Sequence, residues 1–104
     1  MPSGHTRRVP LITAKIGLIG MTRIVADQGA KFGITANCIA PGRIATPGGT
    51  NATDGVLQRS LSRIPAGRLG LATEVAATIA FLVSDGAAYI TGAVIDVNGG
   101  AFMG

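Results

Sequence analysis

Apolar side chains at Leu11, Ala14, Leu18, Met21 and Val25 recur at spacings of three and four, and Ile12, Ile16 and Ile19 form a second row beside them. That period predicts an α-helix over about residues 11–26 with more than one face to cover. Gly29 and Gly33 signal its end, and Lys31 stands where a cation suits the carboxyl terminus of a helix. The run from Ile34 to Ala40 is short, mostly apolar and halted by Pro41-Gly42, which fits a strand buried on both faces. From Pro41 to Asn51 the composition is that of a long loop, rich in proline, glycine, threonine and asparagine. In open α/β sheets such loops, at the carboxyl ends of parallel strands, are where ligands sit.

A weak apolar row (Val56, Leu57, Leu61) predicts a short helix over residues 53–62, and Gly67 and Gly70 bracket Arg68-Leu69 as a turn. Val75, Ala76, Ile79, Ala80, Leu82 and Val83 predict a further helix from Thr73 to Val83, closed by Ser84-Asp85-Gly86. Ala93-Val94-Ile95-Asp96-Val97 reads as a second buried strand, and Asn98-Gly99-Gly100 turns the chain away. There is no internal repeat and no low-complexity segment.

Two parallel strands are too few for an independently stable sheet, which usually needs three or more, so further elements are expected upstream. Composition points the same way. A chain of 104 residues can form one domain, yet 47% of it is hydrophobic and only 13% charged, more apolar than a small free-standing domain needs. The excess is read as faces meant for more chain or for a partner subunit.

The net charge of +4 is not spread as a nucleic-acid surface would be. Residues 1–23 hold Arg7, Arg8, Lys15 and Arg23 with no acid, while residues 24–104 hold five basic and five acidic side chains. With no tryptophan and Tyr89 as the one tyrosine, no basic stripe is interleaved with stacking aromatics, so nucleic acid is not an expected partner. Lys15 interrupts the apolar stretch that follows Arg7-Arg8, which argues against an export signal, and no run reaches the length of a membrane span. Cys38, alone in an apolar run, reads as a buried small hydrophobe. A cytoplasmic protein is the default expectation.

The phrases Ile12-Thr13-Ala14-Lys15, Gly33-Ile34-Thr35-Ala36-Asn37-Cys38-Ile39-Ala40-Pro41-Gly42, Ile64-Pro65-Ala66-Gly67-Arg68-Leu69-Gly70, Tyr89-Ile90-Thr91-Gly92 and Asp96-Val97-Asn98-Gly99-Gly100 come in a specific order and spacing. Together they resemble the carboxyl-terminal half of the short-chain dehydrogenase/reductases, closest in flavour to the 3-oxoacyl-carrier-protein reductases. The resemblance covers residues 12–104 and implies an α/β fold. This would be the carboxyl-terminal part of a doubly wound Rossmann parallel sheet, with about two strands and three to four helices.

For chemistry, the resemblance implies an oxidoreductase using NAD or NADP. In the family a tyrosine four residues before a lysine is the general acid or base, and the lysine holds the nicotinamide ribose and lowers the tyrosine's pKa. The i, i+4 spacing puts both on one helical face. Lys15 occupies the lysine position, but Leu11 stands at the tyrosine position and has no proton to give. Acid–base help of about a hundred- to ten-thousand-fold would go with it. The family's glycine-rich phosphate turn, cofactor selector and catalytic serine belong to its upstream half, and no glycine motif here replaces them, so binding of NAD or NADP by this chain alone is expected to be very weak. Pro41-Gly42-Arg43-Ile44-Ala45-Thr46 resembles the segment that wraps the nicotinamide. Pro41 and Gly42 would shape it, the Ile44 backbone would meet the carboxamide, and the Thr46 hydroxyl a phosphate or carboxamide. The alternative is that Pro41-Gly42 is only a turn and Thr46 a cap.

No metal site is expected, since His5 is single and outside the matched region. Tyr89 fits the family's packing motif and has no lysine four residues on. Residues 1–11 lie before the quoted motifs and are read as junction or irregular sequence, with a partial Rossmann-type domain over 12–104. Three functions follow as expectations: a truncated or fragmentary oxidoreductase, inactive alone; a non-catalytic module pairing through apolar helix faces as a homo-oligomer or with an intact relative; or half of a split enzyme.

Overall fold

In the computed structural model, which describes residues 4–46 and 54–104, the chain runs through α1 (Gly4–Gly29), a 3-10 turn (Ala30–Phe32), β1 (Cys38–Pro41), α2 (Asp54–Ser62), α3 (Ala72–Leu82), a second 3-10 turn (Asp85–Ala87) and β2 (Val94–Val97). The N–H of Cys38 donates to the Ala93 carbonyl and that of Gly42 to the Val97 carbonyl, each at 2.9 Å. Both partners advance four residues in the same direction, so β1 and β2 pair in parallel. Helices leading into parallel strands make this the partial Rossmann arrangement that the sequence implied. The chain divides into two compact units: residues up to Cys38 with Ala88–Val94, and Ile39–Ala87 with Ile95–Gly104.

In the first unit α1 begins at Gly4, upstream of the Leu11 start given by apolar periodicity. The segment from Gly4 to Pro10 has too few apolar side chains for its period to be visible, although its backbone is helical, with Pro10 costing one ladder bond. The helix closes as the glycines predict. Gly33 takes the left-handed conformation at φ +75, its N–H donates to Ala30 at 3.1 Å, and the N–H of Ile34 donates to Gly29 at 3.1 Å. These are the paired bonds of a Schellman closure, which a Cβ-bearing residue at position 33 would strain.

The strand expected from Ile34 starts only at Cys38. Upstream of it, side chains take over from the ladder. The Asn37 side-chain amide donates to the Ile90 carbonyl at 3.1 Å and its oxygen accepts from the Ala93 N–H at 3.1 Å, while the Thr91 hydroxyl accepts from the Ala36 N–H at 3.1 Å. Ala26 and Cys38 are buried here. The Thr22 hydroxyl donates to the Leu18 carbonyl at 2.8 Å, leaving its oxygen, 3.0 Å from the Cys38 sulfur, to receive the thiol proton. Cys38 is thus the buried small residue expected, with its one donor satisfied. Tyr89 corrects the expectation of packing: it is fully exposed, and the contacts of its motif come from Ile90 and Thr91.

In the second unit Ile64 and Ala87 are buried. Leu71, the residue that precedes α3, has no side-chain acceptor for the first helical N–H groups. The Glu74 carboxylate reaches back to the Leu71 N–H at 2.9 Å, half of a capping box. Much apolar surface stays uncovered in both units, including Ile16, Leu18, Met21 and Ile24 of α1 and Ile79 and Phe81 of α3. The excess seen in the composition is therefore at the surface.

Candidate functional site

The segment from Pro41 to Thr46 leaves β1 and is pinned at two points. At Gly42 an added Cβ would lie 2.7 Å from Asn98 Cβ and 2.9 Å from Asn98 Cα, so only glycine lets the loop pass the β2 terminus this closely. Asn98 is itself fixed, its side-chain oxygen accepting from the Gly100 N–H at 2.9 Å and its amide donating to the Phe102 carbonyl at 3.1 Å.

The second pin is a parallel bridge between Ile44 and Gly70. The N–H of Gly70 donates to the Arg43 carbonyl at 2.9 Å and the N–H of Ala45 to the Gly70 carbonyl at 2.8 Å. In this pattern the bonds fall on Gly70 and on the residues flanking Ile44. The N–H and carbonyl of Ile44 therefore point away from the bridge, a donor and an acceptor side by side on a fixed backbone. A Cβ at Gly70 would come within 2.8 Å of Ile44 Cδ1, the end of a flexible side chain that would have to turn aside. Sequence reading gave Gly70 only a turn. Its role in setting Ile44 depends on a contact across 26 residues that no local signal encodes.

Beside the bridge lies a cavity of about 260 Å³ lined by Arg68, Gly70, Glu74, Asp96, Asn98 and Gly99, among others. Arg68 and Glu74 face each other in a two-pronged pair, at 2.7 and 2.9 Å. The hydrogen bond from Arg68 and then that from the Leu71 N–H hold the Glu74 carboxyl down at about 2, and the same pair raises the Arg68 pKa. With side chains 57% and 40% exposed, the pair fixes the start of α3 more than it stabilises the fold.

Lys15 belongs to the first unit and is exposed on α1, and no carboxylate pairs with it among the described residues. Leu11 lies one turn earlier in the same helix, but its side chain falls outside the described residues. Pro41, Gly42, Ile44 and Thr46 belong to the second unit, where Ile44 is half-buried and the other three are exposed. The loop expected to follow Thr46 enters positions 47–53, outside the described residues. Among the described residues no group of acids, histidine and cysteine could hold a metal ion, and no helix is long and apolar enough to cross a membrane.

A family model described as enoyl-(acyl carrier protein) reductase, of the short-chain dehydrogenase/reductase type, matches residues 6–101. The chain therefore belongs to the short-chain dehydrogenase/reductase family. It is similar to the 3-oxoacyl-acyl-carrier-protein reductase of Escherichia coli K12, 49% identical over 100 residues. It is also similar to those of Salmonella typhimurium LT2, at 44% over 100 residues, and Staphylococcus aureus Mu50, at 41% over 100 residues. Each of these matches covers 96% of this chain and 41% of the relative, so the chain spans about two-fifths of the length of these relatives. The family match begins at residue 6, upstream of the motif at Ile12.

Proposed function

We propose that this chain is a nicotinamide-side segment of an NAD(P)-dependent short-chain oxidoreductase and does not transfer hydride by itself. The observation that carries the second half is Leu11, four residues before Lys15 on one helix. A hydrocarbon at that position can neither give nor take the proton that carbonyl reduction requires, so Lys15 has no phenol to act upon. The first half is supported by the pinned loop. The outward N–H and carbonyl of Ile44 match the carbonyl and amino group of a carboxamide, with Pro41 and Gly42 shaping the approach and the Thr46 hydroxyl beyond them. NAD or NADP is the cofactor class, held only weakly by this chain alone.

The uncovered faces of α1 and α3 favour a role in association. Ile16, Met21 and Ile24 are each about 60% exposed, more than a helix working alone should leave in water. We assign these faces to a homo-oligomer or to an intact relative, in the cytoplasm, with residues 1–11 preceding the partial Rossmann domain of 12–104.

The test is titration of the chain with NADPH, followed by nicotinamide fluorescence, alone and mixed with an intact relative. No saturable change by the chain alone is expected. Tight binding and turnover would replace this reading with that of an active enzyme, complete or split. Sedimentation tests the association separately: dimers or larger species are expected, and a well-folded monomer would refute it.

A further inference from the structure

Four arginines lie in the second unit, and their surroundings differ. Arg68 is satisfied by the Glu74 carboxylate. Arg43, Arg59 and Arg63 have no carboxylate partner among the described residues, and all three are exposed. The turn at Ser60 links the segments that carry them. The Arg43 guanidinium donates to the Ser60 hydroxyl at 2.9 Å, bringing it from the end of β1 to the last turn of α2. Arg59 precedes Ser60 in that turn, and the N–H of Arg63 donates to the Ser60 carbonyl at 3.2 Å, so the turn continues and Arg63 lies beside both Arg59 and Ser60.

A helix carboxyl terminus accounts for cations at Arg59 and Arg63, since its dipole favours them. It does not account for Arg43, which comes from a different segment and reaches the same turn through Ser60. The backbones that present these side chains are held. The Arg43 carbonyl accepts from Gly70, the Arg59 carbonyl accepts from the Ser62 hydroxyl, and Ile64, next to Arg63, is buried. Such an arrangement, with cationic forks and a hydroxyl on a fixed frame and no carboxylate paired with them among the described residues, suits an external oxyanion.

We propose that Arg43, Arg59, Arg63 and Ser60 form an anion-binding subsite for a phosphate or carboxylate group carried by the substrate. The substrate assignment rests on the proposed function; the anion site itself does not require cofactor or turnover. Arg43 keeps one hydrogen bond to Ser60 and turns its remaining donors to the anion, while Arg59 and Arg63 supply charge from the helix side.

The experiment is an NMR titration of the nitrogen-15-labelled full chain with inorganic pyrophosphate at constant ionic strength, with succinate as a second arm. Saturable shifts are expected at the Arg43 side-chain N–H and at the amides of Ser60 and Arg63. Arg43→Gln and Arg63→Gln should each weaken binding by about ten-fold, as loss of a charge-assisted hydrogen bond implies. Saturation by pyrophosphate alone assigns a phosphate ester, and saturation by both, or by succinate alone, admits a carboxylate. Shifts that do not saturate, that potassium chloride reproduces, or that persist unchanged in both variants would overturn the proposal. Because no nicotinamide is present, the outcome is independent of whether the chain binds cofactor.

Discussion

Replacing Gly42 by alanine should destabilise the chain even though the change adds one methyl group. Gly42 is not among the glycines with positive φ, so its backbone conformation is open to alanine. On chain entropy alone, Gly42→Ala would stabilise by about 0.4–1 kcal/mol. Against this stands the new Cβ, at 2.7 Å from Asn98 Cβ and 2.9 Å from Asn98 Cα. Carbon contacts are favourable near 3.5–4.0 Å, so the two segments must separate by roughly 1 Å. Asn98 cannot swing aside, because one of the two atoms is backbone and its side chain is bonded to Gly100 and Phe102. Overpacking of this kind costs about 1–3 kcal/mol, so the steric cost wins and the net loss is about 1–2 kcal/mol. Urea denaturation reads this directly: with a slope of about 1–3 kcal/mol per molar, the midpoint should fall by on the order of 1 M. Gly17→Ala is the control. It lies in α1 with nothing within 4 Å of an added Cβ, and alanine there should raise stability by about 0.5–1 kcal/mol. A Gly42→Ala midpoint at or above that of the unchanged chain would refute the close approach on which the loop geometry depends.

Asn37→Ala removes both side-chain bonds to the 90–93 segment, at a cost of about 1–3 kcal/mol; faster hydrogen exchange at Ala93 is expected, and unaltered protection there would contradict the role given to Asn37. Glu74 titrates at about 2 in the folded chain instead of the usual 4.5, so its contribution is complete above pH 4.5 and is lost as pH falls toward 2. Glu74→Gln should therefore flatten the dependence of the urea midpoint on pH within that window, and parallel curves for the two proteins would count against the Arg68–Glu74 pair. Gly33→Ala forces a Cβ into a left-handed helix cap at φ +75 and should lower the melting temperature, whereas an unchanged value would mean the cap relaxes freely.

The order of the elements was legible because each carries its own period or punctuation. The glycines at 29 and 33 closed α1 where expected, and the apolar runs before Pro41 and after Gly92 became paired parallel strands. Boundaries were lost where side chains replaced backbone pairing. Asn37 shortens β1 by bonding across 53 and 56 residues, which a local pattern cannot show. The helical backbone from Gly4 to Pro10 was hidden because polar residues leave no apolar period. At the candidate site, Pro41-Gly42 and Ile44 were visible through family motifs. Gly70 and Asn98 stood in the quoted motifs and were read as turn residues; that they hold this loop was not legible, because it lies in contacts distant along the chain.

The central claim concerns Leu11 and Lys15, and NADPH oxidation in the presence of a 3-oxoacyl thioester tests it most directly. The unchanged chain and Leu11→Tyr would be assayed side by side, with absorbance of the reduced nicotinamide as the readout. No oxidation above the protein-free rate is expected for either, because restoring the phenol does not restore tight cofactor binding. Steady, substrate-dependent oxidation by the unchanged chain would contradict the account outright, and activity confined to the tyrosine variant would show that this chain binds the cofactor far better than proposed.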